Sequence, residues 1–141
     1  MADQPQVFKY KRPDVDPTLS KIGTIKDWRR SSTAKGKASF RLCRSDLVRA
    51  DVKVLVEGGE DELHYHPGND GFWMVLEGRA RYYGEGDVVI SELGKHEGIL
   101  IPRGFSYWFE SVGDEPLELL HVAALVQNIK DVTIKPGKVV P

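Results

Sequence analysis

Two histidines separated by one residue, His64 and His66, are the side chains of this chain best suited to chemistry. In an extended strand, residues i and i+2 point to the same face of the sheet. Two imidazoles placed in this way can converge on one metal ion or on one substrate. Imidazole binds iron, manganese, nickel, copper and zinc, and it transfers protons near neutral pH. The pair therefore predicts either a metal site or a site of proton transfer.

A third histidine, His121, lies in the almost wholly apolar run Leu117–Leu125. A polar ring buried in an apolar strand needs a hydrogen-bond partner or a function. Two interpretations stay open: a core histidine that bonds a main-chain carbonyl, and a group of a functional site. His96 differs, because it lies in the loop segment Gly94–Gly98, where an exposed imidazole without a function is expected.

Short runs with strand character make up most of the chain, and glycines and prolines separate them. The runs are Ser39–Arg44, Val52–Glu57, Leu63–His66, Phe72–Glu77, Arg79–Tyr83, Asp87–Ser91, Ile99–Ile101, Ser106–Ser111 and Leu117–Val126. Many short strands with turn residues between them are typical of a β-sandwich or barrel. The turn residues of Pro67–Gly71 predict that the histidine pair lies near a strand end, beside a hairpin.

Length and composition limit the classes of function. With 141 residues the chain is large enough for one domain, and its net charge of −1 gives no electrostatic reason to expect nucleic acid or an anionic membrane as a partner. No apolar run approaches the roughly 20 residues of a membrane span, and the first residues lack the features of a signal peptide. The single cysteine, Cys43, is compatible with a reducing compartment, so a cytoplasmic location is expected.

The domain organisation follows from where the strand pattern begins and ends. We expect an irregular N-terminal arm over 1–35, a β-barrel over 36–127 and an irregular C-terminal tail over 128–141.

Two segments together resemble the cupin family. Gly58–His66, followed by Gly78, resembles the first cupin motif, in which a glycine, an H-x-H pair, a glutamate and a second glycine occur in order. Ile101–Tyr107 is similar to the second motif, with its proline and glycine at Pro102 and Gly104. The resemblance covers about 52–126. It implies an all-β jelly-roll barrel of two antiparallel sheets with a central small-molecule pocket, and a homodimer, which small cupins often form.

The ligand set departs from the family pattern at two positions. The family glutamate falls on Gly71, which has no ligand atom, and the third family histidine falls on Tyr107, whose neutral phenol is a poor ligand. Asp70 is one residue away and would point to the opposite face of a strand, so a turn-capping role is expected for it. The family position of His121 points into the barrel, which implies that this ring faces the H-x-H pair.

Aromatic and apolar side chains should complete the pocket. Alternation along the strands predicts that Trp73, Val75, Tyr107 and Phe109 point inward. Such walls favour a small, partly aromatic or ketone-like substrate over a highly charged one. Arginines on predicted strands would bind a carboxylate if they pointed inward, but surface positions are expected for Arg41, Arg79 and Arg81.

Three classes of function stay open. The first is a mononuclear metal enzyme of dioxygenase, isomerase or lyase type, with His64, His66 and His121 on one divalent transition metal ion (Fe, Mn, Ni, Cu or Zn). The second resembles the metal-free sugar-nucleotide epimerases and ketoisomerases of related jelly-roll folds, with His64 or His121 as the base and Tyr107 as the acid. The third is a cupin that only binds a small ligand. The retained H-x-H pair favours the first.

Overall fold

The computed structural model of the chain describes residues 5–7, 9, 37–55 and 62–136. The predicted arm over 1–35 lies almost entirely outside these residues, so the domain boundaries stay a prediction. Within the described part, no helix is long and apolar enough to cross a membrane.

The described residues are almost entirely β-structure, as the sequence predicted. The strands are β1 (Lys37–Arg44), β2 (Val48–Leu55), β3 (Asn69–Glu77), β4 (Ala80–Tyr83), β5 (Val89–Leu93), β6 (Gly98–Ile101), β7 (Trp108–Ser111) and β8 (Leu117–Leu125). A single 3-10 turn at Glu85–Asp87 precedes β5.

Two antiparallel sheets form the barrel. The larger has the strand order β1-β2-β8-β3-β6 and the smaller has the order β5-β4-β7. The strand β8 lies in the middle of the larger sheet, where Asp51 of β2 and Trp73 of β3 are both paired with His121. The predicted architecture of two antiparallel sheets is confirmed, and the last strand is held on both of its edges.

Strand alternation decides which side chains enter the barrel. Residues of both sheets form the main core cluster, which comprises Leu55, Trp73, Val75, Ala80, Tyr82, Leu93, Ile101, Tyr107, Phe109, Leu117 and Leu119. The four side chains that alternation placed inward, Trp73, Val75, Tyr107 and Phe109, are all at most 1% exposed.

The histidine segment is not a strand, contrary to the prediction for Leu63–His66. His64 and Tyr65 form isolated bridges, with Tyr107 and Ile134 respectively. The predicted hairpin beside it is absent from the described residues, because β3 already begins at Asn69 and pairs with β8 from there. Pairing in the middle of a sheet has overridden the local turn preference of this segment.

Asp70 lies within β3 and bonds to a turn elsewhere. Its carboxylate accepts hydrogen bonds from the main-chain N–H of Arg103 at 2.9 Å and from the guanidinium of the same residue. It therefore caps the turn that follows β6, whereas the sequence had suggested a cap of its own turn.

Candidate active site

A cavity of about 550 Å³ opens at one end of the barrel. Its lining comes from β1, β2, β3 and β8, from the histidine segment and from the C-terminal tail: Ser39, Arg41, Arg49, Asp51, Lys53, Glu62, His64, His66, Trp73, Tyr107, His121, Thr133 and Lys135. Three of the four histidines thus share one cavity. Val75 and Phe109 do not line it, since they belong to the packed core beyond.

Main-chain contacts fix the ring of His64. Its Nδ1 lies 2.7 Å from the carbonyl oxygen of Glu62. A carbonyl oxygen only accepts, so Nδ1 carries the proton in the neutral ring and Nε2 is left with a lone pair. Two main-chain hydrogen bonds to Tyr107, of 3.0 and 2.9 Å, hold the segment itself. His64 is buried, with 8% of its surface exposed.

His66 lies beside His64, with 5.0 Å between the ring centroids and an angle of 84° between the ring planes. Burial lowers the pKa of His66 from its ordinary value of 6.5, and the neighbouring His64 lowers it further. The carboxylate of Asp131 and a hydrogen bond to the main chain of Val132 act in the opposite direction. Because the net shift is downward, His66 is mainly neutral at neutral pH.

His121 stacks on Trp73, with 3.8 Å between centroids and 10° between ring planes. The ring is 6% exposed, and its Nε2 has no hydrogen-bond partner. Burial lowers the pKa of His121 to about 2, and the nearby charges of Lys53 and Arg49 contribute to the shift. The ring is therefore neutral at physiological pH. The unpartnered Nε2 favours a group of a functional site over a core histidine that bonds a main-chain carbonyl.

Known proteins share this architecture. The family model for the cupin domain, Cupin_2, matches residues 52–123, just over half of the chain. The chain belongs to the cupin family. Mannose-1-phosphate guanylyltransferase of Escherichia coli is 35% identical to this cupin over 73 residues, which are 50% of this chain and 14% of that enzyme. The cupin therefore spans only a small part of the curated relatives it matches.

Solved structures show the fold at lower identity. An uncharacterised conserved protein with a double-stranded β-helix domain from Klebsiella pneumoniae has a TM-score of 0.64 and 20% identity, covering 83% of this cupin and 99% of that chain. The polyketide cyclase RemF from Streptomyces resistomycificus has a TM-score of 0.61 and 21% identity, with 76% and 75% covered. Neighbours of this cupin thus include enzymes.

Gly71 stands where the cupin family has its glutamate, and in this cupin the ring of His121 occupies the space beside it. A Cβ atom at Gly71 would lie 3.1 Å from Nε2 of His121 and 3.5 Å from Nε1 of Trp73, both of which lack hydrogen-bond partners. A side chain at position 71 would therefore require the imidazole to shift by a few tenths of an ångström. The glycine leaves room for a ring that enters from β8.

The donor set, as arranged, does not complete a metal site. His64 and His66 lie side by side, but no group of three His, Cys, Asp or Glu side chains within the described ranges is placed to hold one ion. Tyr107 is 1% exposed, and its ring centroid lies 4.5 Å from that of His64. The three-histidine metal centre stays a prediction.

The cavity carries more charged side chains than we predicted from the aromatic residues of the sequence. Four basic side chains (Arg41, Arg49, Lys53 and Lys135) and two acidic ones (Asp51 and Glu62) line it. The difference arises because the inner faces of β1 and β2 carry charged residues at the open end of the barrel. Arg79 and Arg81 do not line the cavity, and both bind Glu92 of β5.

The C-terminal tail contributes residues that the sequence analysis did not select. Ile134 pairs with Tyr65, and the tail residues Thr133 and Lys135 line the cavity. Asp131 lies 2.6 Å from a guanidinium nitrogen of Arg49 and accepts a hydrogen bond from Asn69. The alternation of polar and apolar residues over 131–135 was the available signal, because this pattern is typical of a half-buried extended segment.

Proposed function

We propose that this cupin is an enzyme that binds a small metabolite in the barrel cavity and moves a proton on it with the His64–His66 pair. One observation carries the proposal: the two imidazoles share the cavity with 5.0 Å between their ring centroids, while Nδ1 of His64 bonds the main-chain carbonyl of Glu62. Such outer bonds fix the ring orientation and the tautomer, as proton transfer requires.

His64 is the base in this proposal. Its Nε2 accepts a proton from a carbon next to the substrate carbonyl, while the Tyr107 hydroxyl donates a proton to the carbonyl oxygen. For a substrate with a hydroxyl group on that carbon, the product of this step is an enediol. His64 then returns the proton to the former carbonyl carbon while the Tyr107 oxygen takes the proton of the other hydroxyl, which gives the isomerised substrate and restores both side chains. His66 stays neutral beside the base, so protonation of His64 does not place two positive charges side by side.

His121 is a weak base, because its pKa is about 2. It contributes instead as a hydrogen-bond acceptor. A hydroxyl group of the substrate that donates to its Nε2 would satisfy the buried nitrogen, which would otherwise destabilise the empty site.

A metal enzyme is the second candidate, and the free Nε2 of His121 beside Gly71 favours it. His64, His66 and His121 would hold the ion, which would supply Lewis-acid chemistry. The three rings would have to move towards one another, because no three such side chains among the described residues are placed to hold one ion.

Hydrogen exchange from solvent separates the two candidates. The protein is incubated in D₂O with chelator and a panel of 2-oxo acids and sugar phosphates, and deuterium incorporation next to the carbonyl is followed by NMR. We expect incorporation that is lost in His64→Ala and retained in His96→Asn, a control at an exposed loop histidine with φ of +69°. Incorporation that requires added metal, together with metal retained by wild type and lost in His64→Ala and His121→Ala, would select the metal enzyme instead. No incorporation under either condition would contradict both.

A further inference from the structure

We propose that Lys53 is the anion-binding residue of the cavity, and that its ammonium group binds a carboxylate or phosphoryl group of the ligand. This inference adds to the proposed function and rests on it in one respect, namely that the ligand is a substrate. The binding itself requires no turnover.

Most of the cations around the cavity are paired with carboxylates. Arg41 lies 2.6 Å from Asp51, and Lys135 lies 3.2 Å from Glu62. Arg49 is held at 2.6 Å by Asp131. Among the cations that line the cavity, only Lys53 has no carboxylate partner within the described residues. It is the cation whose charge a ligand would neutralise.

The ammonium group of Lys53 is directed into the cavity. Lys53 lies on the inner face of β2, in register with Ser39 of β1 and Leu119 of β8. Its Nζ is 5.3 Å from the centroid of the Trp73 ring. The charge is therefore held above the indole that stacks on His121. A lysine on the outer face of the sheet would place its charge in solvent, whereas Lys53 directs its charge into the cavity.

The imidazoles of His66 and His121 share the cavity with Lys53. The site without ligand thus concentrates positive potential next to neutral rings. An anion at Lys53 offsets this potential, and charge-assisted hydrogen bonds of this kind are roughly twice as strong as neutral ones.

The alternative is that Lys53 serves only to pack on Trp73. A cation over the face of an indole is attracted by the ring quadrupole, which stabilises the folded chain. In that case Lys53→Met, which keeps most of the aliphatic stem, would lower the free energy of unfolding and leave the affinity for anions unchanged. If Lys53 binds anions, Lys53→Met lowers the affinity for anions; if it only packs on Trp73, the variant changes the free energy of unfolding alone.

The ligands for the test are lactate, its neutral analogue lactamide and inorganic phosphate. Each is titrated into the full chain, and changes in amide NMR chemical shifts give the dissociation constant. Wild type is compared with Lys53→Met, Lys53→Arg and Lys95→Met. Lys95 provides the matched control, because it pairs with Glu77 and does not line the cavity.

We expect lactate, phosphate or both to bind wild type, and Lys53→Met to raise the dissociation constant by about 10-fold, the loss of one charge-assisted hydrogen bond. Lys53→Arg should retain most of the affinity, and Lys95→Met should match wild type. Binding of lactate alone identifies a carboxylate ligand, and binding of phosphate alone identifies a phosphoryl ligand. Equal affinity of wild type and Lys53→Met for the anion that binds, binding of lactamide as tight as that of lactate where lactate binds, or no anion binding would overturn the proposal.

One further variant separates this proposal from the proposed function. His64→Ala should abolish deuterium incorporation yet change the anion dissociation constant by less than about threefold, because the charge of Lys53 that binds the anion stays in place. Anion binding without any incorporation would contradict the proton-transfer function alone. The spectrum of each variant reports whether it is folded, and Lys53→Arg tests the site if Lys53→Met does not fold.

Discussion

Leu119 and His121 lie two residues apart on the inner face of β8, but they belong to opposite ends of the barrel. Leu119 is fully buried in the core cluster with Phe109 and Leu117, and we call this region the closed end. His121 lines the cavity with Lys53 and the histidine pair, and we call this region the open end.

The neighbouring strands β2 and β3 also pass from the packed core at the closed end to the cavity at the open end. On β2, Leu55 belongs to the closed end, while Lys53 and the inner-face residues before it line the cavity. On β3, Val75 is core, and Trp73 belongs to both regions. Alternation thus decides which face of the sheet a side chain enters, and position along the strand decides whether it packs or faces the cavity. The closed end packs the core, and the open end holds the candidate site.

The largest expected difference between the two ends concerns stability. Phe109→Ala removes a fully buried ring from the closed end and should lower the free energy of unfolding by about 3–5 kcal/mol. His64→Ala at the open end should lower it by only about 1 kcal/mol, the contribution of the hydrogen bond to Glu62. Urea denaturation measures both values. Equal losses would show that the open end also carries the stability of the fold.

A carboxylate at position 71 should test how tightly the open end is packed. Gly71→Glu would force a side chain towards Nε2 of His121, so we expect a loss of about 3 kcal/mol from overpacking and a buried charge. His121→Ala in the same chain removes the imidazole and should restore part of the stability. Thermal unfolding of the single and double variants gives the coupling. A double variant no more stable than Gly71→Glu would contradict the assigned clash.

Acid should destabilise the protein through His121. Its pKa is about 2 in the folded protein and 6.5 in the unfolded chain, so below pH 6.5 the unfolded state binds a proton that the folded state does not. The contribution is fully present above pH 6.5 and falls by about 2 kcal/mol between pH 7.5 and pH 5. Chemical denaturation of wild type and His121→Leu at both pH values measures it. Parallel losses in the two proteins would assign the acid sensitivity to other groups.

The smallest expected effect concerns the tail at the rim of the open end. Asp131→Asn weakens the ion pair with Arg49, which is partly buried, and we expect a local loss of about 1 kcal/mol. The amide of Ile134 donates to the carbonyl of Tyr65 at 2.9 Å, so its hydrogen exchange should become about fivefold faster. Exchange of the Phe109 amide in the closed end is the control. Unchanged exchange at Ile134 would show that Asp131 does not hold the tail.

Several features of the site could be predicted from local patterns. The spacing of His64 and His66 placed both rings in one cavity, although their segment is not a strand, because i and i+2 share a side in any extended backbone. Alternation placed Trp73 and Tyr107 inward for the same reason. The prediction of a weakly charged pocket was wrong. It considered the aromatic residues of the pocket and left out the charged residues on the inner faces of β1 and β2.

The order of residues along the chain by itself determined the cupin fold, the inward faces of its strands and the position of the histidine pair. These features depend on local periodicity and on motifs of a few residues. Three-dimensional packing was needed to show that His121 stacks on Trp73 beside Gly71, that Asp131 and Lys135 bind at the rim, and that Lys53 lines the cavity with no carboxylate partner among the described residues. These contacts join residues from distant parts of the chain, so their partners depend on strand order and register.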